Sequence, residues 1–305
     1  MTTTDTYFER DHDEEYLDVG GYELFYRRFG SGDETLVGLH GGPGVPHDYL
    51  APLAAHGTDM RTVYLYDQFG VGRSDGPATG DFDRYTAEHY HEELEAFRVA
   101  LGVDRLHLYG HSWGGMLALE YALAYPDRVA SLVLANAFAD ANAAYAGIRA
   151  TVETLSEESR EAIATHEASR TFDAPEFQAA VMELIGGHVC RADPFPDPVS
   201  RAFEEMNHDI YGLMWGPTEF VLAETARLRG RSVTDRLDEV DVPTLVLTGT
   251  YDELTPELAR DLASALPDAE LVEFEASSHT PFWEQPDEHR ETVEAFLHRV
   301  TPVRQ

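Results

Sequence analysis

The chain contains no lysine, a single cysteine at position 190 and no long run of apolar residues. One cysteine excludes an internal disulfide and a multi-cysteine zinc site, so nothing in the sequence indicates an oxidising compartment. A membrane-spanning helix needs about 20 consecutive apolar residues, and the sequence offers no such stretch. Residues 1–6 form neither a basic nor an apolar segment, so we expect a cytoplasmic protein without a membrane partner.

Basic residues are also scarce. The chain has 22 of them, all arginine, against 56 acidic residues, and its formal net charge is -34. A nucleic-acid partner is excluded, because phosphate binding needs a basic surface. The acidic residues are spread along the whole chain, and their mutual repulsion is screened when molar salt shortens the Debye length to about 3 Å. We predict a salt-adapted, halophilic protein, with an ordinary acidic domain as the alternative.

What the sequence does contain is an alternation of short apolar runs with helical patterns, after an opening hairpin whose turn is Gly20-Gly21. The predicted strands are 35–39, 61–66, 106–109, 129–134, 244–248 and 270–274, and the predicted helices are 87–101, 116–125, 256–266 and 287–300. Such an alternation is typical of an α/β protein whose mostly parallel sheet is covered by helices on both faces. A length of 305 residues allows one large domain or a core with an insertion.

The alternation stops after Asn136. Residues 139–234 have the pattern of helices and loops, interrupted at Gly186-Gly187 and by the prolines of 193–198, without a convincing central strand. The sequence therefore predicts an α/β core in two parts, residues 1–138 and 235–305, with a helical cap over residues 139–234.

The most informative motif is Gly-His-Ser-Trp-Gly at residues 110–114, which lies between the predicted strand 106–109 and the predicted helix 116–125. A strand, a Gly-x-Ser-x-Gly turn and a helix in this order form a nucleophile elbow, in which a strained turn exposes the serine hydroxyl above a parallel sheet. The flanking elements distinguish this motif from an ordinary Gly- and Ser-rich turn. Ser112 is therefore the candidate nucleophile.

A nucleophilic serine needs a base to accept its proton and an acid to orient that base, and in this architecture they follow in the order Ser, Asp or Glu, His. Asp252 comes directly after the predicted strand 244–248, and His279 follows the next strand, 270–274. Both residues are expected at the carboxyl edge of the sheet, where open α/β proteins build their sites. We predict Asp252 as the orienting acid and His279 as the general base.

The oxyanion of the tetrahedral intermediate needs two backbone donors. One is the amide that follows the nucleophile, here Trp113, and the other comes from the loop after the third strand. That loop reads His-Gly-Gly-Pro-Gly at residues 40–44, and its glycines let the backbone approach a substrate closely. We predict the Gly42 amide as the second donor, with Gly41 as the fallback.

Three segments together carry a family resemblance: residues 40–44, residues 67–74 (Asp-Gln-Phe-Gly-Val-Gly-Arg-Ser) and residues 110–115. They resemble the proline iminopeptidases of the α/β-hydrolase superfamily over nearly the whole chain, although the cap is similar only in patches. The resemblance implies an α/β-hydrolase fold with a mostly parallel eight-stranded sheet and a helical cap inserted after the sixth strand. It implies no metal and no organic cofactor. Residues 67–74 are expected to be structural.

Within that family the chain is most similar to the archaeal tricorn-interacting aminopeptidases, through residues 216–220 and 251–256. The resemblance implies that Glu219 and Glu253 hold the free α-ammonium of a substrate, and two desolvated carboxylates bind such a group through charge-assisted hydrogen bonds. The alternative is that either glutamate is solvated surface. The elbow departs from the family at His111 and Trp113, where relatives often carry Gly and Tyr.

These expectations describe a serine aminopeptidase that removes an N-terminal residue, proline or another small apolar one, from short peptides or amino-acid amides through an acyl-enzyme. The partners would be short peptides with a free N-terminus, and the resemblance suggests a link to a larger upstream protease. One alternative is a carboxylesterase or other acyl hydrolase with the same triad, in which Glu219 and Glu253 are incidental. Another is a hydrolase scaffold that serves as a non-catalytic binding module.

Overall fold

A single eight-stranded sheet organises the computed structural model, which describes residues 7, 8, 10–77 and 82–301. The opening segment 1–6, used above to predict localisation, lies outside the described residues. The strands are β1 (His12–Asp18), β2 (Glu23–Phe29), β3 (Glu34–Leu39), β4 (Arg61–Tyr66), β5 (Leu106–His111), β6 (Val129–Ala135), β7 (Thr244–Gly249) and β8 (Ala269–Phe274). Their spatial order is β1-β2-β4-β3-β5-β6-β7-β8. Strand β2 runs antiparallel to β1 and β4, and every later pair is parallel.

Helices cover both faces of this sheet. The α-helices of the described ranges are α1 (Ala87–Leu101), α2 (Trp113–Ala124), α3 (Ala141–Val152), α4 (Glu157–Ser169), α5 (Pro175–Leu184), α6 (Asp197–Glu204), α7 (His208–Met214), α8 (Pro256–Ala265), α9 (Pro281–Glu284) and α10 (Pro286–Val300). Short 3₁₀ helices occupy His47–His56, Pro126–Arg128 and Thr234–Glu239, and a π-helical turn occupies Ile185–Val189. In the part of the chain that the structure describes, no helix has both the length and the apolar character that crossing a membrane requires.

The core forms on the two sides of the sheet, because neighbouring side chains of a strand point to opposite faces. In β3, Val37 and Leu39 belong to the apolar cluster that packs with α1 and α2. Leu36 belongs instead to the cluster with α10 and the 3₁₀ helix His47–His56. Strands β5 and β7 are buried along their whole length. Continuous apolar runs in the sequence therefore correspond to strands covered on both faces.

Most predicted elements have the expected bounds. Helix α1 begins after Thr86, whose side chain accepts a hydrogen bond from His89 N, and it ends at Gly102 in the left-handed conformation. Helix α2 begins at Trp113, three residues before the predicted start at Met116, because β5 continues through His111 and leaves Ser112 alone to make the turn. The elbow is thus tighter than the sequence pattern indicated.

The segment between β6 and β7 contains α3 to α7 and contributes no strand to the sheet among the described residues. Gly186-Gly187, expected as an interruption, lies inside the π-helical turn that continues α5. The two ends of the segment pair with each other, because Ala141 N donates to Arg231 O and Val233 N donates to Ala139 O. These two hydrogen bonds hold the ends of the segment together. The division at residues 139–234 stays a prediction of domain bounds.

Candidate active site

Ser112 lies in the turn between β5 and α2 with φ 54° and ψ -121°. A non-glycine residue with positive φ is strained and needs support from its surroundings. Its N–H donates to Ala135 O at 3.0 Å, and its carbonyl accepts from Gly115 N at 2.9 Å. Gly114 is required here, since a Cβ at that position would lie 2.1 Å from Leu39 O. The sequence therefore folds into the predicted nucleophile elbow.

Asp252 and His279 are hydrogen-bonded to each other, with Asp252 Oδ1 2.7 Å from His279 Nδ1. Three further donors fix the carboxylate: Leu254 N at 3.1 Å to Oδ1, Asn136 Nδ2 at 2.7 Å to Oδ2, and Thr248 Oγ1 at 3.3 Å to Oδ2. Both side chains are almost fully buried. The carboxylate thus orients the imidazole with Nε2 directed away from the acid.

The electrostatics of this pair are set by burial and by neighbouring charges. Burial opposes the charged form of Asp252, but the His279 imidazolium and the hydrogen bonds keep the pKa of its carboxyl below the ordinary value. Burial also opposes a charged imidazole, yet the carboxylates of Asp252, Glu253 and Glu219 raise the pKa of His279 to about 9. In the protein without substrate, these carboxylates therefore favour the charged form of His279.

The loop after β3 lies directly against the nucleophile, because a Cβ on Gly41 would be 2.9 Å from Ser112 Cβ. The Gly41 amide donates to Tyr49 Oη at 2.6 Å, so the predicted fallback donor already has a partner. Gly42 has φ 33°, and its carbonyl accepts from Val45 N at 2.8 Å in a tight turn. Trp113 is the first residue of α2, so its amide belongs to the free N–H groups of the helix start. The geometry favours Gly42 and Trp113 over Gly41.

Gln68 connects the two halves of this predicted oxyanion hole. Its Nε2 donates to His40 O at 3.2 Å, and its Oε1 accepts from the indole Nε1 of Trp113 at 3.2 Å. The backbone N–H of Gln68 donates to His40 Nε2 at 3.0 Å. All of these side chains are buried. Residues 67–74 were expected to be structural, and through Gln68 they contact both sides of the predicted oxyanion hole.

Glu219 and Glu253 lie on the His279 side of the site. Glu253 Oε1 is 3.8 Å from His279 Nε2, and Glu219 accepts a hydrogen bond from the Tyr211 hydroxyl. Glu253 Oε2 is buried without a hydrogen-bond partner. Burial raises the pKa of both carboxyls, and for Glu253 the nearby Glu219 raises the pKa further. Two close buried carboxylates without a bound cation are an unfavourable arrangement that a positively charged ligand would relieve.

Five of the seven predicted site residues line one cavity of about 250 Å³: Gly42, Ser112, Glu219, Glu253 and His279. The other two stand behind it, Asp252 next to His279 and Trp113 next to Ser112. The roof of the cavity is apolar and comes from the segment between β6 and β7, with Phe177, Leu184, Val199, Phe203 and Met206. This arrangement encloses a small ligand that carries one charged group among apolar ones.

One group among the described residues has the residue types and spacing of a metal site: His47, Asp48 and Asp67, whose ligand atoms lie within 4.8 Å of one another. Arginine already pairs with both acids: Arg27 lies 2.8 Å from Asp48 Oδ1, and Arg73 lies 2.8 Å from Asp48 Oδ2 and 3.4 Å from Asp67 Oδ2. His47 is hydrogen-bonded to Asp67 at 2.7 Å. We interpret the group as an ion-pair network that fixes the loop after β4.

Sequence reasoning missed four residues that support the site: Tyr49, Gln68, Asn136 and Tyr211. Two of them carried a signal. Gln68 belongs to the motif at residues 67–74, and Asn136 directly follows β6 at the carboxyl edge of the sheet, where Asp252 and His279 were found. Tyr49 and Tyr211 reach the site through the 3₁₀ helix and α7, and no sequence pattern marks them.

Comparison with known proteins agrees with this geometry. The family model described as the alpha/beta hydrolase fold matches residues 34–286. A proline iminopeptidase of Saccharolobus solfataricus is 36% identical over 292 residues, which cover 94% of this chain and 93% of that protein. A proline iminopeptidase of Thermoplasma volcanium is 32% identical, with 93% and 96% covered. The chain belongs to the proline iminopeptidase family of α/β hydrolases.

Structural comparison places the chain in the same family. The crystal structure of a proline iminopeptidase from Mycobacterium smegmatis matches it with a TM-score of 0.87 at 33% sequence identity, covering 94% of this chain and 98% of that one. The relatives are thus covered almost end to end, cap included. The chain is a serine hydrolase of the prolyl aminopeptidase type, and the fold predicted for it is confirmed.

Proposed function

We propose that this member of the proline iminopeptidase family is a serine aminopeptidase that releases an N-terminal residue, proline or another small apolar one, from short peptides or amino-acid amides. The observation that carries the proposal is the pair of buried carboxylates, Glu219 and Glu253, in the cavity that also holds Ser112 and His279. An aminopeptidase must hold the charged amino terminus of the same residue whose carbonyl is attacked. These two side chains supply that function beneath the apolar roof of the cavity.

Ser112 is the nucleophile in this proposal, His279 the general base and Asp252 the orienting acid. His279 Nε2 accepts the proton of the Ser112 hydroxyl while Oγ attacks the carbonyl carbon, and the amides of Gly42 and Trp113 stabilise the oxyanion. His279 then donates that proton to the leaving amine as the C–N bond breaks. Water repeats the sequence on the acyl-enzyme, releasing the N-terminal residue and restoring the Ser112 hydroxyl.

The substrate also prepares the base. An imidazolium cannot accept a proton, and the carboxylates of Glu253 and Glu219 help to keep His279 charged in the substrate-free protein. A substrate ammonium bound between the same carboxylates offsets their negative charge beside His279. The pKa of His279 then falls, and neutral imidazole becomes available when the scissile carbonyl is in place.

The apolar roof of the cavity favours one competing function, hydrolysis of carboxylic esters with the same triad. The two functions differ in their dependence on Glu219. We expect Glu219→Gln to lower kcat/KM for a prolyl-arylamide by about 10-fold or more, since a charge-assisted contact with the ammonium is lost. Hydrolysis of a neutral acyl ester by the same variant should not fall, since an ester without an ammonium loses no contact and removal of the Glu219 charge lowers the pKa of His279 toward neutral.

Glu224→Gln is the matched control, because Glu224 is an exposed glutamate of the same segment. It should change neither rate. Loss of ester hydrolysis with retained arylamide hydrolysis would contradict the aminopeptidase proposal and favour the esterase. Failure of a fluorophosphonate probe to label Ser112 would favour the non-catalytic binding module.

We also propose the setting in which this activity operates. The enzyme would work in the cytoplasm at high salt, as the charge of -34 and the absence of lysine suggest. Its cap, residues 139–234, would exclude long chains, so that its substrates would be short peptides delivered by a larger upstream protease. A panel of aminoacyl-arylamides and peptides of increasing length, assayed in high salt, tests the residue preference and the length limit together.

A further inference from the structure

We propose that Tyr49 and His111 act as positioning residues that link the oxyanion loop, the nucleophile elbow and the loop of the catalytic histidine into one rigid unit. The inference rests on the proposed function, because it assigns a purpose to the contacts around Ser112 and His279. Neither residue touches a reacting atom in the mechanism above. Their side chains connect the elements that carry those atoms.

Three hydrogen bonds in series make the link. The Gly41 amide donates to Tyr49 Oη at 2.6 Å, and Tyr49 Oη lies 2.8 Å from His111 Nδ1. On the other side of the ring, His111 Nε2 lies 2.8 Å from the backbone carbonyl of His279. The series therefore starts one residue before the predicted donor Gly42 and passes one residue before Ser112. It ends at the main chain of the general base.

The direction of every hydrogen bond in the series is determined. A carbonyl oxygen can only accept, so His111 Nε2 carries the proton in its contact with His279 O. His111 Nδ1 is then the acceptor, provided that the ring is neutral, and Tyr49 donates its hydroxyl proton to it. The Tyr49 oxygen remains free to accept from the Gly41 amide. One tautomer of His111 satisfies all three contacts at once.

Burial and the nearby His279 support the neutral ring. They lower the pKa of His111 to about 3, so the imidazole carries no charge at working pH. Tyr49 and His111 are at most 5% exposed, and the His111 ring packs against the His279 ring with centroids 4.6 Å apart. A buried network whose members are all satisfied rigidifies its surroundings. His111 thereby has a structural purpose in the elbow.

A rigid link of this kind affects the transition state more than substrate binding. The oxyanion donors must lie where the charge develops, and displacements of about 1 Å cost catalysis severely. Tyr49 and His111 also line the cavity, but the carboxylates proposed to hold the ammonium, Glu219 and Glu253, and the apolar roof lie outside the series. Damage to the link should thus appear in kcat and leave KM nearly unchanged.

The test compares Tyr49→Phe with Tyr66→Phe in the full-length enzyme. Tyr66 is a matched control, because its hydroxyl is also buried but has no hydrogen-bond partner. We expect Tyr49→Phe to lower kcat for a prolyl-arylamide by about 10- to 100-fold, below the 10²- to 10³-fold cost of deleting an oxyanion donor outright. KM should stay within about twofold, and fluorophosphonate labelling of Ser112 should slow in proportion to kcat. Tyr66→Phe should change none of the three.

A second variant, His111→Leu, keeps the link falsifiable if Tyr49→Phe folds poorly, which thermal unfolding of each variant will show. A leucine side chain has neither the donor that His279 O accepts nor the acceptor that Tyr49 uses. The double variant should be no slower than the slower single variant, because both remove the same link. Equal kcat values for Tyr49→Phe and Tyr66→Phe would overturn the inference, and so would strictly additive losses in the double variant.

The outcome also separates this inference from the proposed function. If the unmodified enzyme hydrolyses esters but no aminoacyl-arylamide, the aminopeptidase proposal fails. The rate of Ser112 labelling in the Tyr49 and Tyr66 variants then still decides whether the link positions the catalytic groups. If the unmodified enzyme neither turns over substrate nor labels, both proposals are overturned.

Discussion

The indole Nε1 of Trp113 donates a hydrogen bond of 3.2 Å to Gln68 Oε1. This contact gives the Trp113 side chain of the elbow a partner, which the loop after β4 supplies. Gln68 also donates to the His40 carbonyl, two residues before Gly42. The two predicted oxyanion donors are therefore held relative to each other by one glutamine side chain.

Two substitutions of Gln68 test the importance of this contact. Gln68→Glu keeps an acceptor for Trp113 but loses the donor to His40, whereas Gln68→Met loses both. We expect kcat to fall further in Gln68→Met, which loses both contacts, than in Gln68→Glu, which loses one. The loss in Gln68→Met should be about 10-fold or more, with little change in KM. Steady-state kinetics in one buffer measure both constants. A Gln68→Met enzyme with unchanged kcat would show that the glutamine does not position the donors.

The three residues Ser112, Asp252 and His279 could be predicted from the sequence alone. They were predicted because each follows a predicted strand, and the carboxyl ends of parallel strands meet at one edge of a sheet. The sheet itself followed from the same apolar runs, and each predicted strand was found within a few residues of its expected bounds. Periodicity is informative where burial is continuous.

The supporting residues could not be predicted in the same way. Tyr49 reaches the site from a 3₁₀ helix whose sequence has no clear period, and Tyr211 reaches Glu219 from a seven-residue helix of the cap. Such contacts depend on how separate elements pack, which a local pattern does not determine. Glu219 and Glu253 were assigned only through the family resemblance, because two glutamates among 56 acidic residues are not distinctive on their own.

The pH dependence of ester hydrolysis should reveal the charges around His279. A neutral ester leaves the carboxylates uncompensated, so kcat/KM should rise with pH as His279, whose pKa they raise, loses its proton, with a midpoint above the ordinary pKa of histidine. Glu253→Gln removes one carboxylate that raises this pKa. We expect the midpoint of the variant's pH profile to move to lower pH.

The exposed Glu257 of α8 provides the control, and Glu257→Gln should leave the midpoint in place. An unshifted midpoint in Glu253→Gln would contradict the assigned electrostatics.

Glu253 should also lower the stability of the fold at neutral and alkaline pH. Its pKa in the folded protein lies well above the reference value of 4.5, so the folded state binds the proton more tightly than the unfolded chain does. This contribution to stability is complete below the unfolded pKa and is lost as the pH rises toward the folded pKa. Glu253→Gln avoids the loss. We expect the variant to unfold at higher denaturant concentration than the original protein at pH 8, and the difference to disappear near pH 4. A gain of equal size at both pH values would point to packing instead of charge.

Salt dependence of stability tests the halophilic prediction. The formal charge of -34 produces self-repulsion that reaches across about 10 Å at 0.1 M salt and about 3 Å at 1 M. We expect the midpoint of thermal unfolding to fall steadily as KCl is reduced from molar to 0.1 M. Sucrose stabilises proteins without screening charge, so it separates screening from solvent exclusion and should restore less of the lost stability than KCl does.

Neutralising the exposed acids Asp238 and Asp261 by substitution with Asn should lower the KCl concentration that the fold needs. If the unfolding midpoint is the same in dilute buffer and in molar KCl, the acidic surface is not an adaptation to salt, and the alternative of an ordinary acidic domain holds.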